Sequence, residues 1–139
     1  MQPYFSERFF NPSSPYAPAV EVRRDYEAAK HRIAQAIGAK PSELTITAGA
    51  TESINLAMTA ASGGHIITSA IEHDAVLEAA RTHDHTVISV DKKGRVDPLA
   101  IEAAIRADTT LISIGLANNE IGTIQPLAKI AAVIETVRQ

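Results

Sequence analysis

The stretch His65-Ile66-Ile67-Thr68-Ser69-Ala70-Ile71-Glu72-His73-Asp74-Ala75-Val76-Leu77 decides the fold of this chain. Its first five residues form an almost continuous apolar run, which is typical of a strand covered on both faces of a sheet. Val76 and Leu77 then begin an apolar pattern with helical spacing, which extends to about Thr82. A strand followed directly by a helix predicts a β-α unit.

The same unit recurs on both sides of this stretch. Short β-favouring runs alternate with amphipathic helical segments, and this alternation predicts an α/β fold with three layers (α/β/α) and a mainly parallel sheet. We expect helices on both faces, because the strands are apolar throughout. The predicted strands span residues 44–47, 65–69, 86–90 and 110–114, and the predicted helices begin near residues 18, 50, 74, 97 and 126.

Two helix ends are marked by single residues. Asp97 precedes Pro98, which predicts an N-cap followed by proline at the first helical position. Gly38 follows the first predicted helix, where glycine commonly adopts the left-handed conformation, and Pro41 prevents its continuation. These signals predict where two of the helices begin or end.

The composition excludes several classes of protein. The chain has 139 residues, a formal net charge of −3 and no cysteine. A net negative charge argues against a basic nucleic-acid-binding surface. A chain without cysteine can form no disulfide, no thiolate metal site and no thiol nucleophile. No apolar run approaches the roughly 18 residues of a membrane span. No export leader follows Met1, so we expect a soluble cytoplasmic protein that binds neither membrane nor nucleic acid.

The N-terminal segment differs from the rest of the chain. All the aromatic residues, three tyrosines and three phenylalanines, lie between Tyr4 and Tyr26. Residues 11–15 form a turn-favouring cluster. We therefore predict an irregular segment over residues 1–17 and an α/β domain over residues 18–139. Four strands leave two sheet edges uncovered, so we expect this domain to be incomplete.

Polar clusters follow three of the predicted strands, where ligands bind in parallel α/β sheets. Residues 49–53 begin a helix whose free N–H groups favour an anion, although taken alone they are more simply explained by Thr51 or Ser53 capping that helix. His73 follows the second strand as a ligand-facing or simply solvated imidazole. Residues 118–122 follow the fourth strand and fit a ligand-binding loop or Asx turns.

The carboxyl ends of parallel strands share one edge of a sheet. We therefore expect Thr51, His73 and Asn119 to open onto one shallow cleft, with Thr51 at a helix N-terminus. The residues 83–85 form a solvated loop in this interpretation, and no metal site is predicted. Three side chains are expected at the opposite edge: His83, His85 and Lys92.

Four motifs together resemble those of the cysteine desulfurases, which are class V aminotransferase-like, fold type I enzymes that use pyridoxal phosphate. The resemblance covers essentially the whole chain and implies that residues 18–139 are part of a pyridoxal-phosphate-binding large domain. The motifs are Asn11-Pro12-Ser13-Ser14, Ala48-Gly49-Ala50-Thr51-Glu52-Ser53, Glu72-His73-Asp74-Ala75-Val76 and Asn118-Asn119-Glu120-Ile121-Gly122.

The resemblance implies a role for individual residues. Ala50 and Thr51 resemble the residues that hold the cofactor phosphate. His73 resembles the histidine that stacks on the pyridine ring and assists proton transfers. Asn119 resembles the asparagine that hydrogen-bonds the phenolic oxygen of the cofactor, and Asn11 lies in a segment that resembles the one near the substrate entrance.

The resemblance also implies a function. The intact enzyme takes sulfur from L-cysteine, giving alanine and an enzyme persulfide for iron–sulfur cluster or thio-cofactor synthesis. It is a homodimer that meets a sulfur-acceptor or scaffold protein. The Schiff-base lysine and the catalytic cysteine of the family are absent here, so we expect an N-terminal fragment that is inactive alone. Another class V lyase or aminotransferase, and a non-catalytic module that binds phosphate or protein, remain open.

Overall fold

The structure is a computed structural model, and it describes residues 1–61 and 63–137. Backbone contacts group the chain into two compact units, Met1–Ile46 and Thr47–Gln139. Each unit is built from its own elements. The functional domain expected over residues 18–139 remains a prediction.

The first unit contains a short N-terminal helix where the sequence predicts irregular structure. Helix α1 spans Pro3–Ser6, so the segment 1–17 is not irregular throughout. A residue beyond this turn stabilises it, because the Tyr4 hydroxyl donates to the Asp25 carboxylate at 3.0 Å. Arg8 forms an ion pair with the same carboxylate. Composition alone could not reveal this support, since Asp25 lies on the next helix.

Helix α2, Ala17–Ala36, is the long helix of the first unit. Its end agrees with the sequence prediction: Gly38 has a φ of +70°, which glycine adopts without the cost of a Cβ. Ala39 donates its N–H to the Ala34 carbonyl at 2.9 Å, which closes the last turn. The prediction for Gly38 is therefore confirmed.

The strand predicted over residues 44–47 does not form. A 3₁₀ helix, Pro41–Glu43, precedes this segment. Leu44 is extended, with φ −100° and ψ 129°, but among the described residues the segment pairs with no strand. Its residue types favour β structure, yet a strand also needs a neighbour that takes its backbone hydrogen bonds. The first unit provides no such neighbour within the described residues.

The second unit is built on a parallel sheet. Its strands are β1 (His65–Ser69), β2 (His85–Ile88) and β3 (Thr109–Ser113), in the order β2-β1-β3. Ile67 of β1 lies opposite Thr86 on one side and Ile112 on the other, and both pairings are parallel. Every residue of β1 is buried, as the apolar run predicted. The described residues thus hold three of the four predicted strands.

Helices cover both faces of this sheet and make three layers. Consecutive residues of a strand point to opposite faces, and Ile66 and Ile67 accordingly belong to different cores. Ile66 packs with Met58 and Val76, and Ile67 packs with Ile101 and Ile130. The first core belongs to α3 (Ala50–Ala60) and α4 (Asp74–Arg81), and the second to α5 (Pro98–Ala104) and α6 (Leu127–Val137). The predicted α/β class is confirmed.

The second predicted helix signal is also confirmed. The Asp97 carboxylate accepts the Leu99 N–H at 3.0 Å and caps α5, with Pro98 in the first turn.

Within the described ranges, no helix combines the length and the apolar character that crossing a membrane requires.

Candidate functional site

A cavity of about 350 Å³ lies at the carboxyl edge of the sheet. The segment after β1 forms one wall, and the loop after β3 forms the other. His73 and Asn119 both line it, which brings two of the predicted site residues together. The lining residues are Ala70, Ile71, Glu72, His73, Asp74, Leu77, Asn118, Asn119, Glu120 and Ile121.

His73 is oriented by the helix that it begins. It is the N-cap of α4, and its Nδ1 accepts the Ala75 N–H at 3.1 Å. Because Nδ1 accepts a hydrogen bond, the neutral ring carries its proton on Nε2. Among the described residues, Nε2 of His73 has no hydrogen-bond partner, and the side chain is exposed. The ring therefore offers an N–H donor at Nε2, and His73 is one of the residues that line the cavity.

The two adjacent asparagines have different environments. The Asn118 carboxamide donates to the Ile71 carbonyl and accepts the N–H groups of Glu120 and Ile121, each at 2.9 Å. The Asn118 oxygen and one of its amide N–H groups are therefore used inside the protein. Asn119 is exposed, and its side chain makes no hydrogen bond to the part of the chain that the structure describes. Asn119 is the amide that remains available to a ligand.

Glu72 connects the two walls of the cavity. Its carboxylate accepts the Gly115 N–H at 3.0 Å through Oε1 and at 3.2 Å through Oε2. Oε1 also accepts the Ser69 hydroxyl at 2.6 Å. A Cβ at Gly115 would stand 3.0 Å from the Glu72 carboxylate, so glycine allows this close approach. Sequence reasoning missed Gly115, because its partner lies 43 positions away.

The turn after β2 supports the same loop from the other side. Gln125 is only 4% exposed. Its carboxamide donates to the Gly94 carbonyl at 2.7 Å and accepts the Val96 N–H at 2.9 Å. The Thr123 hydroxyl donates to the Lys93 carbonyl at 2.6 Å. Sequence reasoning also missed Gln125, whose amide gives no local signal of these contacts.

This arrangement corrects the prediction for Lys92. Lys92 was expected at the edge opposite the cleft, but its turn follows the carboxyl end of β2. Because β2 is parallel to β1, that end lies at the same edge as His73. The turn is tied to the loop after β3 through Lys93 and Gly94. The direction of the preceding strand, not the polar character of the turn, decides its place.

Ala50 and Thr51 lie in the first turn of α3, but they do not line the cavity. The helix N-terminus predicted for Thr51 is confirmed, and Thr51 is not among the residues that line the cavity with His73 and Asn119. The strand expected to lead into α3 is absent from residues 44–47. The cofactor roles of Ala50 and Thr51 remain predictions.

The start of α3 still presents unpaired donors. Gly49 is the N-cap and provides no side chain, so neither Thr51 nor Ser53 caps this helix. The Glu52 carboxylate instead accepts the Ala48 N–H at 2.6 Å. The first N–H groups of a helix have no partner within it and, together with the helix dipole, attract anions. The exposed Thr51 hydroxyl adds one further donor.

Histidines at the amino edge are placed as predicted. His85 begins β2 and His83 precedes it, so both lie at the opposite end of the parallel sheet from His73. His65, at the start of β1, is buried between Thr86 and Thr109, whose hydroxyls lie 2.8 Å from Nε2 and 2.9 Å from Nδ1. Burial, assisted by the Arg106 charge, lowers the pKa of His65.

Comparison with known proteins identifies the class. The profile of the family "Aminotransferase class-V" matches residues 1–138. The chain therefore belongs to the class V aminotransferase family, whose enzymes depend on pyridoxal phosphate. The α/β fold and the cavity at the carboxyl edge of its sheet agree with that class.

Individual similar proteins have narrower functions than the family as a whole. The chain is 44% identical to cysteine desulfurase IscS of Dictyoglomus turgidum over 96% of this chain and 36% of that protein. It matches the solved structure of a NifS-like protein with a TM-score of 0.91 and 33% identity, covering 97% of this chain and 40% of that one. A second structure, of SspA in complex with cysteine, matches with a TM-score of 0.89 and 36% identity, over 99% and 43%. The chain spans about 36% of the length of the IscS relative.

The side chains present fit pyridoxal phosphate. Phosphate suits the unpaired N–H groups at the start of α3. His73 and Asn119 line a common cavity, and neither the Nε2–H of His73 nor the carboxamide of Asn119 has a partner within the described residues. A ring with a phenolate oxygen can be bound by such a pair. The individual assignments for His73 and Asn119 remain predictions.

Proposed function

We propose that this chain forms part of the cofactor-binding domain of a cysteine desulfurase. The observation that carries the proposal is the shared cavity of His73 and Asn119, in a chain that matches the class V family over residues 1–138. The relationship to an IscS protein at 44% identity supports the desulfurase branch of that family. A neighbour that was solved in complex with cysteine supports L-cysteine as the substrate.

Each proposed residue has a distinct task. The first turn of α3, with Ala50 and Thr51, binds the phosphate through backbone N–H groups and one hydroxyl. Asn119 donates its amide N–H to the phenolate oxygen of the cofactor. His73 covers the pyridine ring and holds or transfers a proton at Nε2, since Nδ1 is occupied by the Ala75 N–H. When bound, pyridoxal phosphate supplies the electron sink that weakens bonds at the α-carbon of an amino acid.

The isolated chain lacks two groups that sulfur transfer requires. A thiolate must accept the sulfur, and this sequence contains no cysteine. A lysine amine must hold the cofactor covalently, and the family resemblance assigns that role to none of the lysines here. We therefore propose that the chain binds the cofactor but does not release sulfur alone. The intact enzyme is proposed to be a cytoplasmic homodimer that delivers sulfur to an acceptor or scaffold protein.

The phosphate site can be tested on the purified chain. Pyridoxal phosphate and pyridoxal, which lacks the phosphate, are titrated against wild type, Thr51→Val and the matched control Thr59→Val. Loss of a hydrogen bond to a charged group should weaken binding of the phosphorylated ligand about tenfold in Thr51→Val. Binding of pyridoxal should not change, and Thr59→Val should behave as wild type. Equal affinity of wild type for both ligands would contradict the phosphate site.

Activity provides the second test. Sulfide released from L-cysteine is measured for the purified chain with pyridoxal phosphate and for pyridoxal phosphate alone. We expect the two rates to be equal. Sulfide release above the cofactor control would contradict the proposed dependence on a cysteine outside this sequence. A chain that binds a phosphate ligand but discriminates against pyridoxal phosphate would instead favour the non-catalytic module.

A further inference from the structure

Two hydrogen bonds join the walls of the cavity, and the loop after β3 is the donor in both. The loop after β3 donates through the Asn118 carboxamide to the Ile71 carbonyl at 2.9 Å. The same loop also donates the Gly115 backbone N–H to the Glu72 carboxylate at 3.0 Å. Side chain meets backbone in both bonds, and each wall contributes one side chain. Such bonds fix the separation of the walls, because the backbone partner cannot rotate away.

The Glu72 carboxylate accepts hydrogen bonds from two segments of the chain, from Ser69 and from Gly115. Ser69, the last residue of β1, is 0% exposed and donates its hydroxyl to Oε1 at 2.6 Å. The carboxylate thus connects the rigid end of β1 to the start of the loop after β3. Hydrogen bonds to an ionised acceptor are shorter and stronger than those between neutral groups. Glu72 is therefore anchored rather than free to bind a ligand.

Asn118 is anchored in a comparable way. Its carbonyl oxygen accepts two backbone N–H groups of its own loop, while its amide nitrogen reaches across to Ile71. The first two bonds shape the loop, and the third attaches it to the opposite wall. An aspartate at position 118 would keep the first two bonds and lose the third. The cross-wall bond can therefore be removed separately.

We propose that Glu72 and Asn118 are positioning residues that hold His73 and Asn119 at the separation required for binding one cofactor ring. Each anchored residue directly precedes a proposed ligand-binding residue: Glu72 precedes His73, and Asn118 precedes Asn119. A displacement of either wall is thus transmitted through one peptide unit to the side chain that faces the cavity. This inference rests on the proposed function for the identity of the ligand, but the coupling of the walls is independent of it.

The first test measures the coupling without any ligand. Amide hydrogen exchange and side-chain NMR signals are compared in wild type, Glu72→Ala, Glu72→Gln and the exposed control Glu102→Ala. In Glu72→Ala the Gly115 N–H should exchange about tenfold faster or more, because it loses a charged acceptor. The signals of the His73 ring and the Asn119 carboxamide should shift. Glutamine keeps an oxygen for Gly115 and an N–H₂ for Ser69, so Glu72→Gln should restore most of the wild-type signals.

Asn118→Asp keeps the test decisive if Glu72→Ala does not fold. This variant retains the loop bonds and should shift the His73 ring signals, although His73 belongs to the opposite wall. A purely structural role would lower the melting temperature but leave these signals at their wild-type positions. Unchanged signals of His73 in Asn118→Asp, or of Asn119 in a folded Glu72→Ala, would overturn the inference.

A titration with pyridoxal phosphate separates the two proposals. In wild type, the ligand should move the His73 and Asn119 signals, and Asn118→Asp should weaken this binding about tenfold. If the ligand moves neither signal in wild type, the proposed function fails, whereas the ligand-free shifts still report the coupling. If wild type binds and Asn118→Asp binds equally well, the proposed function stands and the positioning role fails.

Discussion

The two edges of the sheet each hold a histidine, and the contacts of these histidines differ. At the amino edge, His65 of β1 is 0% exposed, and both ring nitrogens lie within hydrogen-bond distance of threonine hydroxyls. At the carboxyl edge, His73 has one nitrogen bonded to its own helix and one without a partner in the described residues. The number of free ring nitrogens therefore separates a histidine that stabilises the sheet from one that can bind a ligand.

The surroundings of the two edges strengthen this contrast. At the amino edge, Arg106 forms ion pairs with both Asp84 and Asp108. At the carboxyl edge, anchored polar groups form the walls of a cavity and leave His73 and Asn119 exposed within it. Within the described residues, the charged groups of the amino edge thus pair with one another, whereas the carboxyl edge leaves two polar side chains exposed in a cavity, where we propose that a ligand binds.

The largest expected effect is on stability, from His65→Ala. The substitution leaves a cavity inside the sheet and removes the hydrogen bond that each of Thr86 and Thr109 makes with the His65 ring. It should therefore destabilise the chain by about 3 kcal/mol. Urea unfolding monitored by circular dichroism measures it. His31→Ala, on the exposed side of α2, is the control and should change stability by less than about 0.5 kcal/mol. A loss at His65 no larger than at His31 would contradict the structural role.

The second largest effect is expected at the turn that supports the carboxyl edge. Gly94 has a φ of +73°, and a Cβ there would meet the Ile121 side chain at 2.6 Å. Gly94→Ala should cost about 1.5 kcal/mol, mostly from backbone strain because the exposed end of Ile121 can move, and should shift the NMR signals of Asn119 through Ile121. Gly122 has a similar φ of +70° with open space around it, so Gly122→Ala isolates the backbone strain, at about 1 kcal/mol. Equal losses in both variants would show that the contact with Ile121 is unimportant.

A smaller effect on stability is expected from His73→Ala. The variant loses only the cap bond to Ala75, and N-cap substitutions of this kind cost about 1 kcal/mol. Its effect on ligand binding should be much larger. Pyridoxal phosphate should shift the NMR signals of Asn119 in wild type, and this shift should be lost in His73→Ala. Unfolding curves and ligand titrations of the same sample measure both. A stability loss as large as that of His65→Ala would remove the distinction between the two edges.

The smallest effect is the pH dependence that His65 contributes. Burial lowers its pKa in the folded state below the value of about 6.5 in the unfolded chain. The unfolded state therefore takes up the proton first, and stability present above about pH 6.5 is lost as the pH falls through the folded pKa. Urea midpoints at about pH 7.5 and about pH 5.5 should differ more in wild type than in His65→Gln. An identical difference in both proteins would show that His65 does not contribute.

Much of the fold was predictable because it depends on local patterns. The buried run 65–69, the cap at Asp97 and the glycine at position 38 all act within a few residues of themselves. The strand expected over residues 44–47 was wrong, since strand formation depends on a partner that the pattern of Leu44 and its neighbours does not specify. Local sequence predicts which residues favour a strand, and tertiary contacts decide whether one forms.

The candidate site was predictable only in part for the same reason. His73 and Asn119 follow strands that are neighbours in the sheet, so their common cavity follows from parallel topology. Glu72, Asn118 and Gln125 hold that cavity through bonds to partners 43, 47 and 31 positions away. Nothing in the local sequence encodes these partners. The difference between Asn118 and Asn119, which are chemically identical neighbours, exists only in the folded chain.

We propose that ligand binding occurs at the carboxyl edge, where one imidazole nitrogen and one carboxamide have no partner among the described residues. The most direct measurement is an NMR titration of the purified chain with pyridoxal phosphate, following the side-chain signals of His65, His73 and Asn119. We predict saturable shifts of His73 and Asn119 with a common dissociation constant, and no shift of His65. Shifts of His65 equal to those of His73, or saturable binding that leaves both His73 and Asn119 unmoved, would contradict the account.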